Sequence, residues 1–176
     1  MLEEIQTNRL LLRRPSPADL DDLLIMHQDP RVMATLGGVR TPEQIKLFLS
    51  RLMNDWDRNG FSWWSIHLLD TGKFAGRGGL RRVPVEGRDE VEVGYGFLSE
   101  FWGRGLATEL ARESVRLGFE ELRLPELVSF TLPTNLASRR VMEKAGFRYE
   151  RDIIHANLPH VLYRQSAPNT TEPGGR

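Results

Sequence analysis

The sequence contains no cysteine among its 176 residues. This absence excludes disulfides, thiolate metal sites and a cysteine acyl-enzyme, so any catalysis must use oxygen, nitrogen or backbone groups. Histidine is also scarce, with four residues. His155 and His160 lie close together but have no third candidate ligand nearby in the sequence, and we therefore predict no metal site.

The sequence also lacks an excess of either charge and any long apolar run. Lysine and arginine total 24, as do aspartate and glutamate, so no basic excess points to a nucleic acid or an anionic membrane as partner. The first eight residues are polar and acidic, and no stretch approaches the roughly 20 apolar residues of a membrane span. We expect a cytoplasmic protein that binds neither nucleic acid nor membrane.

The composition is that of a folded protein, with 40% hydrophobic and 27% charged residues. A chain of this length suits one domain, since single cores commonly serve roughly 100–200 residues. We predict one domain over residues 1–165. Residues 166–176 are rich in proline, glycine and threonine and lack periodicity, which predicts a flexible tail.

Hydrophobic periodicity predicts a mixture of strands and helices. Predicted strands cover residues 9–14, 61–69, 73–83, 90–98, 127–132, 147–154 and 161–164, and predicted helices cover 18–28, 41–59, 106–122 and 135–145. Proline and glycine separate these segments, with a turn predicted at 84–89. Strands and helices alternating in this way predict an α/β or α+β fold.

Residues 90–98 alternate regularly between two faces of the predicted strand. One face carries valine and aromatic residues. The other carries Glu90, Glu92, Gly94, Gly96 and Leu98, and the small residues predict an unusually open surface. A carboxylate on such a surface has room for a ligand beside it.

The turn Gly103-Arg104-Gly105 leads from this strand into a helix. Such a turn aims backbone N–H groups and the positive helix end at one point, which suits a phosphate. An ordinary strand-to-helix turn is the alternative. The turn lacks the lysine of a P-loop and the third glycine of a dinucleotide-binding fingerprint, so both of those functions are disfavoured.

Two motifs in this order resemble the GNAT superfamily of acetyltransferases. Residues Trp102-Gly103-Arg104-Gly105-Leu106-Ala107 match its Q/R-x-x-G-x-G/A loop except at the first position, and W-G-K/R-G is a form found in the subgroup of ribosomal-protein N-terminal acetyltransferases. Residues 135–147 are similar to that subgroup's N-x-x-S-x-x-V-x-E-K-x-G-F helix. The order of elements agrees from residue 9 to residue 164.

The resemblance implies a mixed, mostly antiparallel sheet of about seven strands flanked by helices. Acetyl-CoA would bind as co-substrate in a cleft where strands 90–98 and 127–132 splay apart. By the same resemblance, the residues that hold it are Phe97, Leu98, Gly103, Arg104, Gly105, Leu106, Ala107, Thr108, Asn135 and Ser138. A strand left unpaired by the splay can pair with the amide-like pantetheine arm instead.

The implied reaction is direct attack of a neutral amine on the thioester, which requires a base, an oxyanion donor and an acid. Glu92 is the candidate base, with a structural ion pair as the alternative role and Glu90 in reserve. The N–H of Leu98 is the implied oxyanion donor. Many members use a tyrosine as the acid, but Met142 occupies that position here and cannot donate a proton. Ser138, or a water that it orients, becomes the substitute.

The resemblance implies an N-acetyltransferase but leaves the acceptor open among a protein N-terminus, a small-molecule amine and an aminoglycoside-type antibiotic. Four aromatic residues are candidates for an acceptor pocket, with core packing as the alternative: Trp56, Phe61, Trp63 and Trp64. The loop 29–40 is a candidate lid, with a plain connection between helices as the alternative. The alternative function is a non-catalytic acyl-CoA-binding sensor or scaffold, because the usual tyrosine is missing. A nucleotide-binding domain is a second alternative. Homodimerisation is compatible with each, and the sequence does not decide it.

Overall fold

The computed structural model describes residues 2–168 and contains one mixed sheet of eight strands. The strands are β1 (Glu4–Gln6), β2 (Leu10–Arg13), β3 (Trp64–Leu68), β4 (Phe74–Val85), β5 (Arg88–Phe97), β6 (Glu126–Thr131), β7 (Arg148–His155) and β8 (Leu158–Ser166). Their order across the sheet is β1-β2-β3-β4-β5-β6-β8-β7. Neighbours pair antiparallel except β5 and β6, which are parallel.

Within residues 2–168, five α-helices flank the sheet. They are α1 (Leu20–Gln28), α2 (Pro30–Met33), α3 (Pro42–Asn59), α4 (Leu106–Arg116) and α5 (Leu136–Lys144), with a π-helical turn (Leu117–Glu121) continuing α4. The predicted start of α3 is confirmed in detail, because Thr41 and Gln44 exchange side-chain-to-backbone hydrogen bonds in a capping box. None of the helices in residues 2–168 is long and apolar enough to cross a membrane.

The predicted architecture is confirmed, with eight strands where about seven were expected. The additional strand, β1, has three residues and is too short to show an alternating pattern. The turn predicted at 84–89 is narrower, since β4 continues through Val85, which is buried against β6 and β7 residues in a small core cluster. The turn itself is Glu86-Gly87.

The C-terminal strand extends to the boundary that the sequence suggested for the tail. Ser166 is the last residue of β8, one position beyond the predicted end of the domain, and the N–H of Ala167 donates to the Pro125 carbonyl. The remainder of the predicted tail, from residue 169, lies outside the described residues.

Hydrophobic clusters cover both faces of the sheet. The largest packs α4, α5 and the end of α3 against one face, with Trp64, Leu110 and Tyr163 almost fully buried. A second cluster lies under α1, α2 and α3 on the other face, around Met26 and Phe74. A third fills the far end of that face around Val83. Because Arg77 and Arg81 lie between Phe74 and Val83 on β4, polar groups separate the second and third clusters.

The backbones of β4 and β5 lie close together at Gly76. A Cβ atom added at Gly76 would lie 2.1 Å from the Gly96 carbonyl oxygen, a distance at which the two backbones must separate. The absence of a side chain here keeps β5 in register beside β4, and this register determines which groups of β5 face its other neighbour.

We expect Gly76→Ala to lower the free energy of unfolding by about 1–3 kcal/mol or more, because the added methyl group meets backbone atoms. Gly118→Ala is the matched control. There the nearest atom is Leu127 Cδ1 at 2.9 Å, the end of a side chain that can rotate. Denaturant titration measures both variants, and equal losses of stability would contradict the close-approach argument.

Candidate active site

The candidate cleft lies between β5 and β6. Their register among the described residues contains one pair, Glu92 opposite Val128. Immediately beyond it, the Ser129 hydroxyl donates to the Val93 carbonyl at 2.7 Å, so a side chain takes over where backbone pairing ends. From there to Phe97, β5 has no register partner on β6, and the two strands separate toward the carboxyl end of β5.

The backbone N–H groups of β5 alternate between β4 and this cleft. Leu98 N–H donates to the Ala75 carbonyl at 2.8 Å, and Phe97 lies opposite Gly76. Because successive groups in an antiparallel ladder point to opposite sides, the N–H groups of Tyr95 and Phe97 face the cleft. This corrects the prediction for Leu98. Its N–H is committed to the sheet and is not directed at a thioester in the cleft.

The glycine turn forms an anion-binding geometry at the mouth of the cleft. Gly103 and Gly105 have φ values of 73° and 76°, in the left-handed region that favours glycine. The first helical hydrogen bond of α4 runs from Glu109 N–H to the Gly105 carbonyl, and the N-cap residue supplies no side-chain cap. The N–H groups of Leu106, Ala107 and Thr108 therefore have no intrahelical acceptor.

A hydrogen-bond network from the N-terminal segment holds this turn. Glu109 accepts from the Thr7 hydroxyl at 2.6 Å and from Arg9 N–H and Nε, each at 2.7 Å. Arg9 also donates to the Arg104 carbonyl at 2.7 Å. Burial alone would raise the pKa of Glu109, but the hydrogen bonds from Thr7 and Arg9 hold that pKa below its ordinary value. Sequence reasoning missed this network, because about one hundred residues separate the partners.

Trp102, which replaces the Gln or Arg of the loop motif, connects the turn to β5. Its Nε1–H donates to the Phe97 carbonyl at 2.9 Å, and the side chain is about half exposed. The turn is thus tied to the last residue of β5 on one side and, through Arg104, to Arg9 on the other.

The two candidate bases have different surroundings. Glu92 is 5% exposed and accepts a hydrogen bond from Arg81 at 2.7 Å through Oε2. Its other oxygen, Oε1, lies over Gly94. Glu90 is held by both terminal nitrogens of Arg164, which keep the pKa of Glu90 below its ordinary value. Glu90 is therefore a structural ion-pair residue, and its reserve role as base is not supported.

The face that carries Glu92 is more covered than the sequence predicted. A Cβ atom at Gly94 would meet the Trp63 indole at 2.6 Å, and one at Gly96 would meet Met26 Cε and Leu36 Cδ1 at 2.8 and 3.0 Å. The glycines make room for these side chains, which alternation within one strand does not reveal. Trp63 and Trp64 are both buried, on opposite faces of the sheet.

A polar pair lies on the opposite face, where Tyr95 reaches from β5 to α5. Its hydroxyl is 3.0 Å from Ser138 Oγ and 3.1 Å from the Ser138 carbonyl oxygen. Burial raises the pKa of Tyr95 well above its ordinary value. Sequence reasoning counted Tyr95 with the apolar face of the strand. Its position opposite the Ser138 helix could be found only from the fold.

Asn135 positions this helix. Its Oδ1 accepts from Ser138 N–H at 3.2 Å, and its Nδ2 donates to the Thr131 hydroxyl at 3.1 Å. Asn135 is therefore the N-cap residue of α5, and its side chain joins the end of β6 to the start of α5. Met142, at the position where the resemblance would place a tyrosine, is buried in the main core.

The two histidines of the last hairpin belong to an aromatic group. The ring of Phe130 lies 4.6 Å from that of His155 and 5.8 Å from that of His160. Within residues 2–168, no three potential metal-ligating side chains come together.

Comparison with known proteins agrees with this geometry. Residues 9–148 match the family described as "Acetyltransferase (GNAT) domain". The chain is 30% identical over 167 residues to the uncharacterized protein YkkB of Bacillus subtilis, an alignment that covers 94% of this chain and 97% of YkkB.

Solved structures share the fold. An acetyltransferase from Agrobacterium tumefaciens superposes with a TM-score of 0.81 at 27% identity, covering 92% of this chain and 93% of that one. RimL, described as a ribosomal L7/L12 alpha-N-protein acetyltransferase in complex with coenzyme A, has a TM-score of 0.75 at 16% identity, covering 94% and 98%. At 16% identity, the similarity to RimL is evidence for the fold alone.

The network around Glu109 predicts an effect on ligand binding. We expect Glu109→Ala to weaken acetyl-CoA binding by about tenfold, because Arg9 and the turn lose a shared, partly buried hydrogen-bonding partner. Calorimetric titration with acetyl-CoA measures the change. Glu113→Ala, one turn further along α4 and paired with Arg116, is the control. Equal affinities for the Glu109 variant and the control would contradict a role in positioning the turn.

Proposed function

This chain belongs to the GNAT acetyltransferase family, and we propose that it transfers the acetyl group of acetyl-CoA directly to a primary amine. The observation that carries the proposal is the splay between β5 and β6, which leaves cleft-facing N–H groups on β5 next to the uncapped start of α4. A buried carboxylate, Glu92, lies on the same strand. A binding module alone would need no such carboxylate.

The diphosphate of acetyl-CoA fits the turn and the first turn of α4. Free N–H groups from Gly103 to Thr108 and the positive end of the helix favour an anion there. The pantetheine arm then extends along β5 in the direction away from the turn and replaces the missing pairing with β6. The thioester consequently lies deeper along β5 than Phe97.

The cleft-facing N–H of Tyr95 is the proposed donor to the oxygen that becomes negatively charged in the transition state. It lies further from the turn than the N–H of Phe97, which pairs with the pantetheine arm. A fixed backbone donor in a site shielded from water stabilises this charge without reorganisation. This assignment replaces the role expected for Leu98.

Glu92 is the proposed base. Arg81 orients the carboxylate through Oε2, while Oε1 lies over Gly94 on the same strand and accepts no hydrogen bond from Arg81. The amine nitrogen attacks the thioester carbon, its excess proton passes to Glu92 directly or through water, and the carbon–sulfur bond breaks. Proton transfer of this kind typically accelerates a reaction by about 10²–10⁴-fold.

Tyr95 and Ser138 are the proposed source of the proton for the departing thiolate. The raised pKa of Tyr95 keeps its hydroxyl protonated at neutral pH. Ser138 Oγ, which contacts that hydroxyl, donates its proton to the sulfur while Tyr95 passes its own proton to Ser138 Oγ, and Tyr95 regains a proton from water before the next turnover. The pair provides the acid that Met142 cannot provide.

Replacing the base tests the proposal. We expect Glu92→Gln to lower kcat with amine acceptors by about 10²–10³-fold and to leave acetyl-CoA affinity unchanged, because the amide cannot accept the proton. CoA release and product mass measure the reaction over an amine library and N-terminal peptides.

The control is Asp89→Asn, an exposed carboxylate at the start of the same strand that pairs with Arg82. If the wild-type protein binds acetyl-CoA but releases no CoA with any amine or peptide, the non-catalytic sensor is the correct function. Full activity of Glu92→Gln would remove Glu92 from the mechanism.

The acid has a separate pH signature. We expect Tyr95→Phe to lower kcat about a hundredfold at pH 7, with the defect shrinking as pH rises toward 9, because near the pKa of the leaving thiol the departing thiolate no longer needs a proton. Tyr149→Phe, at an exposed tyrosine bonded to Asp152, is the control. A loss that is the same at every pH would indicate a structural role for Tyr95.

A further inference from the structure

An arginine cluster lies beside Glu92 on the same face of the sheet. Arg77 and Arg81 are neighbours on this face of β4, opposite Gly96 and Glu92 on β5. Arg40, from the segment before α3, completes the cluster, since its charge lowers the pKa of Arg77. The three guanidinium groups surround a small aromatic surface made by Trp63 and Phe48.

Arg77 is buried without a counter-charge. The residue is 3% exposed, and its guanidinium carbon lies 4.4 Å from the centroid of Trp63 and 5.6 Å from that of Phe48. Its Nε donates to His27 Nε2 at 3.4 Å. No carboxylate oxygen within residues 2–168 lies within 4.0 Å of it. Burial, with Arg40 and Arg81 nearby, lowers the pKa of Arg77 to about 9, so it remains a cation at neutral pH.

The nearby carboxylate does not balance the cluster. Glu92 is bonded to Arg81 at 2.7 Å, and its effect on Arg77 is weaker than the opposing effects of burial and the two neighbouring arginines. Elsewhere the chain pairs its internal arginines closely, as Arg164 with Glu90 at 2.8 Å. Arg77, in contrast, has no carboxylate within 4.0 Å among residues 2–168. An unpaired buried charge is costly, and ordinary packing does not require one.

Further buried groups around Arg77 lack hydrogen-bond partners among the described residues, and each can donate. They are His27 Nδ1, Trp63 Nε1, Ser65 Oγ and Arg81 Nε. Ser65 lies directly opposite Arg77 on β3. Burial lowers the pKa of His27 to about 3, so its ring is neutral. Because Nε2 accepts from Arg77, the ring hydrogen is on Nδ1.

Donors without acceptors match a ligand that is rich in acceptor oxygens. An arginine guanidinium presents a planar fork that fits a carboxylate or phosphate with two parallel hydrogen bonds. The side chains that cover this region over Gly96 end in Met26 Cε and Leu36 Cδ1, which can rotate without a backbone shift. Rotation of these two side chains would uncover the face of Gly96 next to Arg77, where a small anionic group could bind.

We propose that the amine acceptor carries a carboxylate or phosphate group, which binds at Arg77 while its amine lies at Glu92. The proposal rests on the acetyl transfer proposed above and narrows the acceptor to acidic amines. The arginine cluster supplies the positive charge, and the unpartnered hydroxyl, indole and imidazole groups supply further donors. A basic or uncharged amine would leave the same groups unpaired, which disfavours it.

Matched pairs of acceptors test the proposal on the wild-type protein. Tyrosine and tyramine differ by a carboxylate, and phosphoethanolamine and ethanolamine differ by a phosphate. The amidated peptides Ser-Asp-Ala and Ser-Asn-Ala differ by one acidic side chain next to a protein-like N-terminus. For each pair that binds, we expect kcat/KM to be at least about tenfold higher for the acidic member. A hydrogen bond to a charged group typically contributes enough binding free energy to account for that factor. Equal or higher rates with the neutral members overturn the proposal.

Arg77→Met then assigns the preference to this residue. We expect the ratio of kcat/KM for the acidic acceptor to kcat/KM for its neutral counterpart to fall at least about tenfold, through a higher KM for the acidic acceptor. The midpoint of thermal unfolding is expected to stay level or rise, because a buried unpaired charge has been removed. The matched control, Arg82→Met, removes an exposed arginine of the same strand that pairs with Asp89. If Arg77→Met lowers the unfolding midpoint and lowers kcat/KM equally for both acceptors, Arg77 has a structural role and does not bind the acceptor.

A binding measurement separates this proposal from the proposed function. If no amine yields acetylated product, the same pairs are titrated calorimetrically into the protein saturated with CoA. Tighter binding of the acidic members, lost in Arg77→Met, supports the anion site without catalysis. Equal binding of both members overturns it. Acetylation of neutral amines alone keeps the acetyltransferase and overturns the acidic acceptor.

Discussion

The incomplete pairing of β5 with β6 is the constraint on which the site depends. One register pair, Glu92 with Val128, holds the two strands together, and the hydroxyl of Ser129 closes the next position. Full pairing would satisfy every backbone group of β5 internally and leave no place for a ligand along it. Separation leaves N–H groups that require another partner, because exposed or buried backbone donors rarely stay unpaired. An extended, amide-containing molecule meets that requirement.

Alternation along β5 then divides the chemistry between the two faces of the sheet. Glu92 projects to the face that carries the arginine cluster, whereas Tyr95 projects toward α5 and Ser138. A ligand lying in the plane of the sheet between β5 and β6 would have the proposed base on one side and the proposed acid on the other. This separation prevents the two groups from neutralising each other directly. The placement of the two groups on opposite faces follows from the two-residue period of a β-strand and does not depend on a loop.

Local sequence determined the elements and the glycine turn, but it did not determine the partners of the polar groups. The alternation of residues 90–98, the cap at Thr41 and the turn at Gly103 all depend on neighbours within a few positions, and each was predicted correctly. The direction of the Leu98 N–H depends on the register between β4 and β5. Pairing of Glu90 with Arg164 depends on strands far apart in the chain. Such facts arise only when the sheet is assembled, so the sequence could propose residues for the site but not their surroundings.

The buried charge of Arg77 in the arginine cluster lowers the stability of the fold. Because the pKa of Arg77 is lowered from 12.5 to about 9, the unfolded chain holds this proton more tightly than the folded chain does. Between those values the unfolded state binds more protons, so the free energy of unfolding rises with pH there and the penalty is fully present at neutral pH. Packing of Trp63 and Phe48 around the guanidinium offsets part of the penalty. An anion bound at Arg77 would oppose it directly, because a negative charge stabilises the protonated form. Binding of such an anion would therefore raise the free energy of unfolding as well, through its contact with the buried charge.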